Sequence, residues 1–332
     1  MFLGSFGRTG VNLFVIIGAW FLIDLPFKSM RFIRLYSTCF LYTVLITGAV
    51  LIAGHSSGDE VAFKEMLRSF TPFSSSPLWF VSDYLFLLLL TPFLNILVLA
   101  LPLEKYKILV GILVVVFVVI PTVENLIPGF NVYKYYIVKS DMSWMIVLYM
   151  LVGYWKRRPN SCFERVGGAA WSTALLISGC AVLCMVDCFG REWMISAFLV
   201  KKVHAFLTYL FMDMASAFCF LLAVSTFFLF KRFAFNVPIV NRIAKNILGI
   251  YVIHQVPVFI PVLWGWFCVE KWVYSQWFLL YETGTILTVF VIFWGVDNIR
   301  EAAMRPLLNS TLIQNVSRKW DAVFNAPPKQ IT

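Results

Sequence analysis

The chain has 332 residues, of which 61% are hydrophobic and 13% are charged. Soluble domains are closer to half apolar and a quarter charged, so these proportions exclude an ordinary soluble protein. They predict an all-α, polytopic membrane helix bundle. The net charge of +10 is explained by basic residues that flank membrane helices, so nucleic acid is not expected as a partner.

Nine apolar stretches are predicted to cross the lipid bilayer as helices, because a span needs about 20 mostly apolar residues. They cover residues 10–27, 36–53, 78–101, 108–126, 143–155, 169–190, 205–230, 247–267 and 277–296. If the turn after the first span is on the inner side, the inner segments hold 18 of the 27 Lys and Arg residues. This bias predicts an outer amino terminus and a cytoplasmic carboxyl terminus.

Residues 1–300 are expected to form the membrane domain and residues 301–332 a cytoplasmic tail. The tail carries a set of apolar side chains at helical spacing among polar ones. They are Leu312, Ile313, Val316, Trp320, Val323 and Phe324. This pattern predicts a short amphipathic helix that lies on the membrane surface.

Three cysteines, Cys180, Cys184 and Cys188, repeat every fourth residue and therefore share one face of a predicted helix. A thiolate metal site and the packing of small apolar side chains both fit this spacing. Because no histidine is nearby and thiolates are disfavoured in hydrocarbon, packing is the favoured interpretation. No bound metal is predicted.

Ionisable side chains within the predicted spans are costly to place in lipid, so each is a candidate functional group. Asp213 and Glu282 fall deep in their spans, where they either line a polar cavity or belong to an internal ion pair. Asp83 lies near a helix end, where interfacial water would solvate it. His254, about two turns into its helix, is either a catalytic group or a packing residue. No serine or cysteine stands at a motif spacing from it, so no nucleophilic triad is predicted.

Two arginines mark the place where the first hairpin reaches the inner side. Arg31 and Arg34 are three residues apart and lie on one face of a helix. They either anchor the topology or bind the phosphates of an anionic cytoplasmic substrate, for which the forked guanidinium is well suited. The residues alone leave both interpretations open.

Five motifs in chain order carry a resemblance to a known family. They are residues 11–22, Arg31-Phe32-Ile33-Arg34, Trp79-Phe80 with Tyr84 and Pro92-Phe93-Leu94-Asn95, Tyr149 with Gly153-Tyr154, and Gly249-Ile250-Tyr251-Val252-Ile253-His254. This arrangement resembles the acyltransferase 3 family of integral-membrane acyltransferases, which modify bacterial surface glycans and related acceptors. Two departures are Gly18-Ala19-Trp20 where the family has Ser-Gly-Tyr, and Leu248 in place of Phe. The family also opens with a helix that carries a histidine base, and that helix would precede Met1.

The resemblance implies transfer of an acyl group, most often acetyl, from cytoplasmic acetyl-CoA to a hydroxyl of a lipid-linked or exported glycan. Acyl-CoA would be a substrate, no cofactor would stay bound, and the site would lie in the inner or plasma membrane. Arg31 and Arg34 would hold the phosphates of acyl-CoA. The resemblance would place the base histidine on the helix upstream of Met1. The candidate catalytic residues within this sequence are His254, Glu282 and Asp213, and those expected to line the cavity are Asp83, Tyr84, Trp79 and Tyr251.

Other functions stay open on the sequence. A transporter of lipid-linked glycans predicts broken helices in two related halves, which the sequence does not show. A polysaccharide polymerase predicts a large outer loop with its own Arg and His, whereas the outer segment 56–77 is short and poor in both. A degenerate, non-catalytic member of the same family is the third alternative, because the opening helix of the family is not in this sequence.

Overall fold

The computed structural model describes residues 2–53, 64, 67, 78–126, 140–158, 206, 209, 210, 213–233, 237–272 and 275–325. The predicted span 169–190, with Cys180, Cys184 and Cys188, lies outside the described residues. Most of the outer segment 56–77 lies outside them as well.

The regular elements of the described chain are all helices. They are α1 (Phe2–Leu22), α2 (Ser29–Ile52), α3 (Trp79–Ala100), α4 (Leu103–Val114), a π-helical segment (Val115–Val119), α5 (Ile120–Leu126), α6 (Asp141–Arg157), α7 (Ala217–Lys231), α8 (Pro238–Ala244), α9 (Ile247–Gln255), α10 (Ile260–Phe267), a 3₁₀ turn (Val269–Trp272), α11 (Phe278–Leu308) and α12 (Thr311–Phe324). The helical class predicted from the sequence is confirmed for this part of the chain.

Four helical stretches of the described chain are long and apolar enough to cross a membrane. They are Ser29–Ile52, Trp79–Ala100, Leu103–Asn125 and Leu280–Leu308. A bent pair, Pro238–Gln255 with Ile260–Trp272, makes a fifth if it is counted as one span. A multi-pass helical membrane protein is therefore supported, whereas the predicted number of nine spans is not confirmed.

Several helices begin or end at places that the apolar pattern did not predict. Helix α2 begins at Ser29 rather than at residue 36, so both arginines of the first hairpin lie inside it. The predicted span 247–267 is interrupted between Gln255 and Ile260. Pro257 explains the break, because proline lacks an N–H and disfavours helical backbone in the preceding residue, and Val256 is extended (φ −64°, ψ 121°).

The predicted span 205–230 is also interrupted. Helix α7 begins at Ala217, after a turn in which the Asp213 Oδ1 atom accepts a hydrogen bond from the Ala215 amide (2.8 Å). The Ser216 hydroxyl then caps the helix by accepting from the Cys219 amide (3.1 Å). Asp213 therefore stands in a turn that precedes the helix.

The chain divides into two compact units. Unit 1 comprises Met1–Pro26 and Phe86–Ala234, and unit 2 comprises Phe27–Leu85 and Phe235–Thr332. Each unit therefore combines stretches that are far apart in the sequence.

A fully buried asparagine joins three segments of unit 1. The Asn12 side chain on α1 donates to the Met214 carbonyl oxygen (2.8 Å) and accepts from the Trp144 indole N–H on α6 (2.8 Å). Asn95 on α3 acts in the same way, donating to the Leu22 carbonyl oxygen (3.2 Å) and accepting from the Tyr149 hydroxyl (2.6 Å). Buried amides with both donor and acceptor engaged fix the register of the helices that they join.

Helices α4 and α6 of unit 1 approach closely at a glycine. The Tyr106 hydroxyl donates to the Met150 carbonyl oxygen (2.6 Å). A methyl group at Gly153 would overlap this hydroxyl and lie 2.8 Å from a methyl group of Val98. Glycine at this position therefore permits the contact.

We expect the Gly153→Ala substitution to lower the free energy of unfolding by about 1–3 kcal/mol, because the added methyl overpacks this contact. Gly111→Ala on α4 is the matched control, since its added methyl meets no atom within 4 Å. That change should be neutral or stabilising by up to about 1 kcal/mol, because alanine is the better helix former. Unfolding of the purified protein in detergent measures both variants, and equal effects would contradict the packing argument.

Candidate functional site

The two arginines of the first hairpin occupy the first two turns of α2, in unit 2. Arg31 is half-buried and Arg34 is exposed. In the described part of the chain, neither guanidinium makes a hydrogen bond or an ion pair, although Arg31 lies close enough to Tyr84 for an electrostatic interaction. Two such cations at the positive end of a helix suit an anionic ligand.

Contacts with α12 fix the start of α2. The Asp321 carboxylate accepts a hydrogen bond from the Ser29 amide (2.6 Å), and the hydroxyls of Ser29 and Ser317 are 2.8 Å apart. The Asn325 side chain exchanges two hydrogen bonds with the backbone of Phe27 (both 2.9 Å). The helix therefore begins at Ser29 because residues almost 300 positions away satisfy its first amides.

An aromatic cluster at the start of α3 and along α9 brings together several of the predicted site residues. The Phe80 ring contacts Tyr251 edge-on (5.5 Å between centroids), and Tyr251 contacts His254 (5.7 Å). Phe80 also lies beside Trp79 (5.9 Å) and Tyr84 (6.1 Å). Four residues that the sequence assigned to one cavity, Trp79, Tyr84, Tyr251 and His254, are thus linked through Phe80.

The tautomer of His254 follows from one hydrogen bond. Its Nδ1 atom lies 2.8 Å from the Ile250 carbonyl oxygen. Because a carbonyl oxygen only accepts, Nδ1 carries the proton and Nε2 of the neutral ring carries the lone pair. The ring is half-buried, so Nε2 is the atom of this cluster that is able to take up a proton from a substrate.

His254 lies at the end of α9, directly before the break in the helix. The helices on the two sides of the break differ in direction by 93°. Non-helical backbone at membrane depth is stable only where it is buried in protein or lines a watery cavity. At the break, Val256 is 0% exposed, so the interrupted backbone beside His254 is buried within the protein.

A buried carboxylate joins α2, α9 and α11 of unit 2. Asp297 on α11 is 0% exposed. Its Oδ1 atom accepts from the Tyr42 hydroxyl (2.8 Å) and Arg300 Nε (2.8 Å), and Oδ2 accepts from Asn246 (2.6 Å) and from Arg300 (3.1 Å). Arg300 also donates to the Thr38 hydroxyl (3.0 Å). Both oxygens of the carboxylate therefore accept hydrogen bonds, as a buried charge requires.

The glycine of the Gly249-Ile250-Tyr251 motif packs against this carboxylate. A methyl group at Gly249 would overlap the Asp297 side chain. The motif glycine therefore allows α9 to lie directly against α11, one turn from the residues that carry the aromatic cluster. Helix α9 bears His254, so Asp297 sets the position of the histidine through the backbone of α9.

The remaining predicted site residues lie elsewhere. Glu282 on α11 lines a cavity of about 770 Å³ together with Trp264, Glu270 and Lys271, and His254 is not among its described lining residues. Asp213 belongs to unit 1, and Asp83 is half-buried on α3.

Within the described residues, no group of three or more His, Cys, Asp or Glu side chains is placed to hold a metal ion.

The sequence analysis missed Asp297, Tyr42 and Asn246. Asp297 lies one residue beyond the predicted span 277–296. The spacing of Asp297 and Arg300, three apart on a helix, was the available signal for an ion pair.

We expect the Asp297→Asn substitution to lower the free energy of unfolding by about 3–5 kcal/mol, because it leaves the mostly buried Arg300 guanidinium without its counter-charge. The control is Glu301→Gln on the same helix, which removes an exposed pair with Arg305 (3.8 Å). That change should cost less than about 1 kcal/mol. Denaturant unfolding in detergent compares the two, and similar losses would show that the Asp297 network carries no special stability.

The sequence matches one known protein family. The family model Acyl_transf_3, described as an acyltransferase domain, matches residues 1–300. No significant match is found among curated proteins or among solved structures. The matched range contains the paired arginines, the aromatic cluster and Asp297. The chain therefore belongs to the acyltransferase 3 family.

Proposed function

We propose that this protein is a membrane O-acyltransferase that moves an acyl group, usually acetyl, from cytoplasmic acyl-CoA to a hydroxyl of a cell-surface or lipid-linked glycan. Membership of the acyltransferase 3 family supports acyl transfer. The observation that carries the proposal is that unit 2 contains both Arg31 and Arg34, which make no hydrogen bond or ion pair within the described residues, and a histidine whose Nε2 holds a lone pair.

In the proposed reaction, the paired arginines bind the donor. Arg31 and Arg34 hold phosphate oxygens of acyl-CoA, because a guanidinium pairs with phosphate through two parallel hydrogen bonds. The start of α2 adds the partial positive charge of a helix terminus. The clamp formed by Ser29 and Asp321 holds this end of the helix in place.

His254 then acts as the general base. Its Nε2 atom takes the proton of the acceptor hydroxyl while the hydroxyl oxygen forms a bond to the thioester carbonyl carbon. The tetrahedral intermediate collapses as the carbon–sulfur bond breaks, and the electron pair of that bond leaves with the CoA sulfur as a thiolate. The thiolate then takes the proton from the His254 imidazolium. The phenols of Tyr84 and Tyr251 are proposed to face the developing oxyanion.

The catalytic roles of Glu282 and Asp213 remain predictions from the sequence. Glu282 shares its cavity with Glu270 and Lys271, and the Asp213 carboxylate holds the Ala215 amide in the turn before α7. Neither observation assigns a proton transfer to these carboxylates, so His254 is the base that the geometry supports best.

We expect the double substitution Arg31→Ala, Arg34→Ala to weaken binding of coenzyme A about 100-fold or more, because two charge-assisted contacts are lost. The matched control is Arg242→Ala, Lys245→Ala, which removes the same charge from exposed positions of unit 2. Isothermal titration of the purified variants measures the affinity. Unchanged binding in the first variant would make the arginines topology anchors only.

We expect the His254→Ala substitution to slow acyl transfer by about 10²–10⁴-fold while coenzyme A still binds, because only the base is removed. Gln255→Ala, at the neighbouring position, is the control and should retain activity. Alkali-labile acetyl groups on surface glycans of expressing cells report the transfer. Full activity of the His254 variant would assign the base to another residue.

A further inference from the structure

The side chains of α12 form three separate sectors around the helix. One sector faces unit 2 and contains Ser317, Asp321 and Phe324, which contact the start of α2. A second, adjacent sector is apolar yet exposed. A third is polar and exposed, and contains Asn315, Arg318 and Ala322. A helix that only packs against protein needs two sectors, one buried and one polar.

The exposed apolar sector consists of Leu312, Val316 and Val323. Leu312 is 71% exposed, Val316 42% and Val323 74%. Their spacing of four and seven residues aligns them along one side of the helix. Trp320 lies at the border of this sector and contacts Phe32 (6.2 Å between centroids). The stripe is therefore continuous over nearly the whole helix and is not covered by the described part of unit 2.

Helix α12 lies close to two candidate membrane spans. Its hydrogen bonds and ring contacts with the start of α2 run from Ser317 to Asn325, about 12 Å of helix, but they reach only the short segment between Phe27 and Phe32. Helix α12 therefore crosses the start of α2 instead of running beside it. Both α2 and α11 are candidate membrane spans, and α12 follows the end of α11 after a short turn.

The charges around the stripe match an anionic bilayer. Lys319 lies beside the apolar sector, and Arg318 belongs to the polar one; both are exposed. Lys28, next to the clamp at the start of α2, is exposed as well. On α11, which precedes α12, Ile299 is 73% exposed and Leu307 54%. Apolar insertion with flanking cations is the pattern of helices that bind anionic lipid surfaces.

We propose that α12 docks on a phospholipid surface that carries anionic headgroups. Leu312, Val316 and Val323 insert among the upper parts of the acyl chains, while Arg318 and Lys319 contact the headgroups. The adjacent sector, with Ser317 and Asp321, binds Ser29, so the docked helix anchors the start of α2, and with it Arg31, at a fixed depth. This docking is independent of the reaction that the protein catalyses.

A photo-crosslinking amino acid placed on α12 tests the proposal without disturbing the clamp. Benzoyl-phenylalanine is introduced at Val323 or, as the control, at the neighbouring Ala322 in the polar sector. The full chain is reconstituted in bilayer nanodiscs of phosphatidylcholine, with or without phosphatidylglycerol, and adducts are identified by mass spectrometry. We expect phospholipid adducts to be several-fold more abundant at position 323 than at position 322.

Lipid charge is tested in the same experiment. Phosphatidylglycerol should raise the yield of lipid adducts at position 323 severalfold, and the Arg318→Gln, Lys319→Gln substitutions should remove this increase. Three results would overturn the proposal. They are equal lipid yields at the two positions, adducts of position 323 with protein (this chain or a second copy), and a yield at position 323 that does not respond to lipid charge.

Discussion

The fold of unit 2 depends on the buried carboxylate of Asp297. Helices α2, α9 and α11 come from distant parts of the sequence, and apolar contacts between membrane helices are poorly discriminating because lipid is as apolar as the side chains. A buried charge is different, since it is stable only where each of its partners is in place. Tyr42, Asn246 and Arg300 meet this condition, so the carboxylate selects one arrangement of the three helices.

This arrangement also determines where the candidate chemistry stands. Helix α2 carries Arg31 and Arg34 at its start, and α9 carries His254 at its end. Asp297 contacts both helices, and Gly249 allows α9 to approach it closely. The proposed donor site and the proposed base are therefore held relative to one another by a network that need not touch a substrate. Holding two reactants in a fixed relative orientation is a large part of what an enzyme with two substrates supplies.

Much of the fold was accessible from the sequence because apolar composition and helical spacing are local properties. The helical membrane class was predicted from such signals, whereas the family and the aromatic residues near His254 were predicted from the resemblance of five motifs to a known family. The break after Gln255 could also have been predicted, since Pro257 follows two residues later. The early start of α2 was not, because the groups that cap it, Asp321 and Asn325, lie almost 300 residues later.

The same limit applies to the Asp297 network. Its hydrogen bonds to Tyr42 and Asn246 span 255 and 51 residues, and no spacing rule joins such positions. Asp213 is a second example. Its position within an apolar stretch suggested a group deep in a span, whereas Asp213 and Ser216 instead form the turn that begins α7. Short polar side chains compete for backbone amides, so they end helices as readily as they line cavities.

The central claim, that this chain transfers acyl groups, is tested most directly with the purified wild-type protein in proteoliposomes. Acetyl-CoA with a labelled acetyl group is supplied together with a surface glycan extract, and both free CoA thiol and labelled glycan are measured. If the chain transfers acetyl groups, the two products appear together in equal amounts. Mild alkali then releases the label, because it hydrolyses an ester. Binding of acetyl-CoA without release of thiol would contradict the claim and would identify a non-catalytic member of the family.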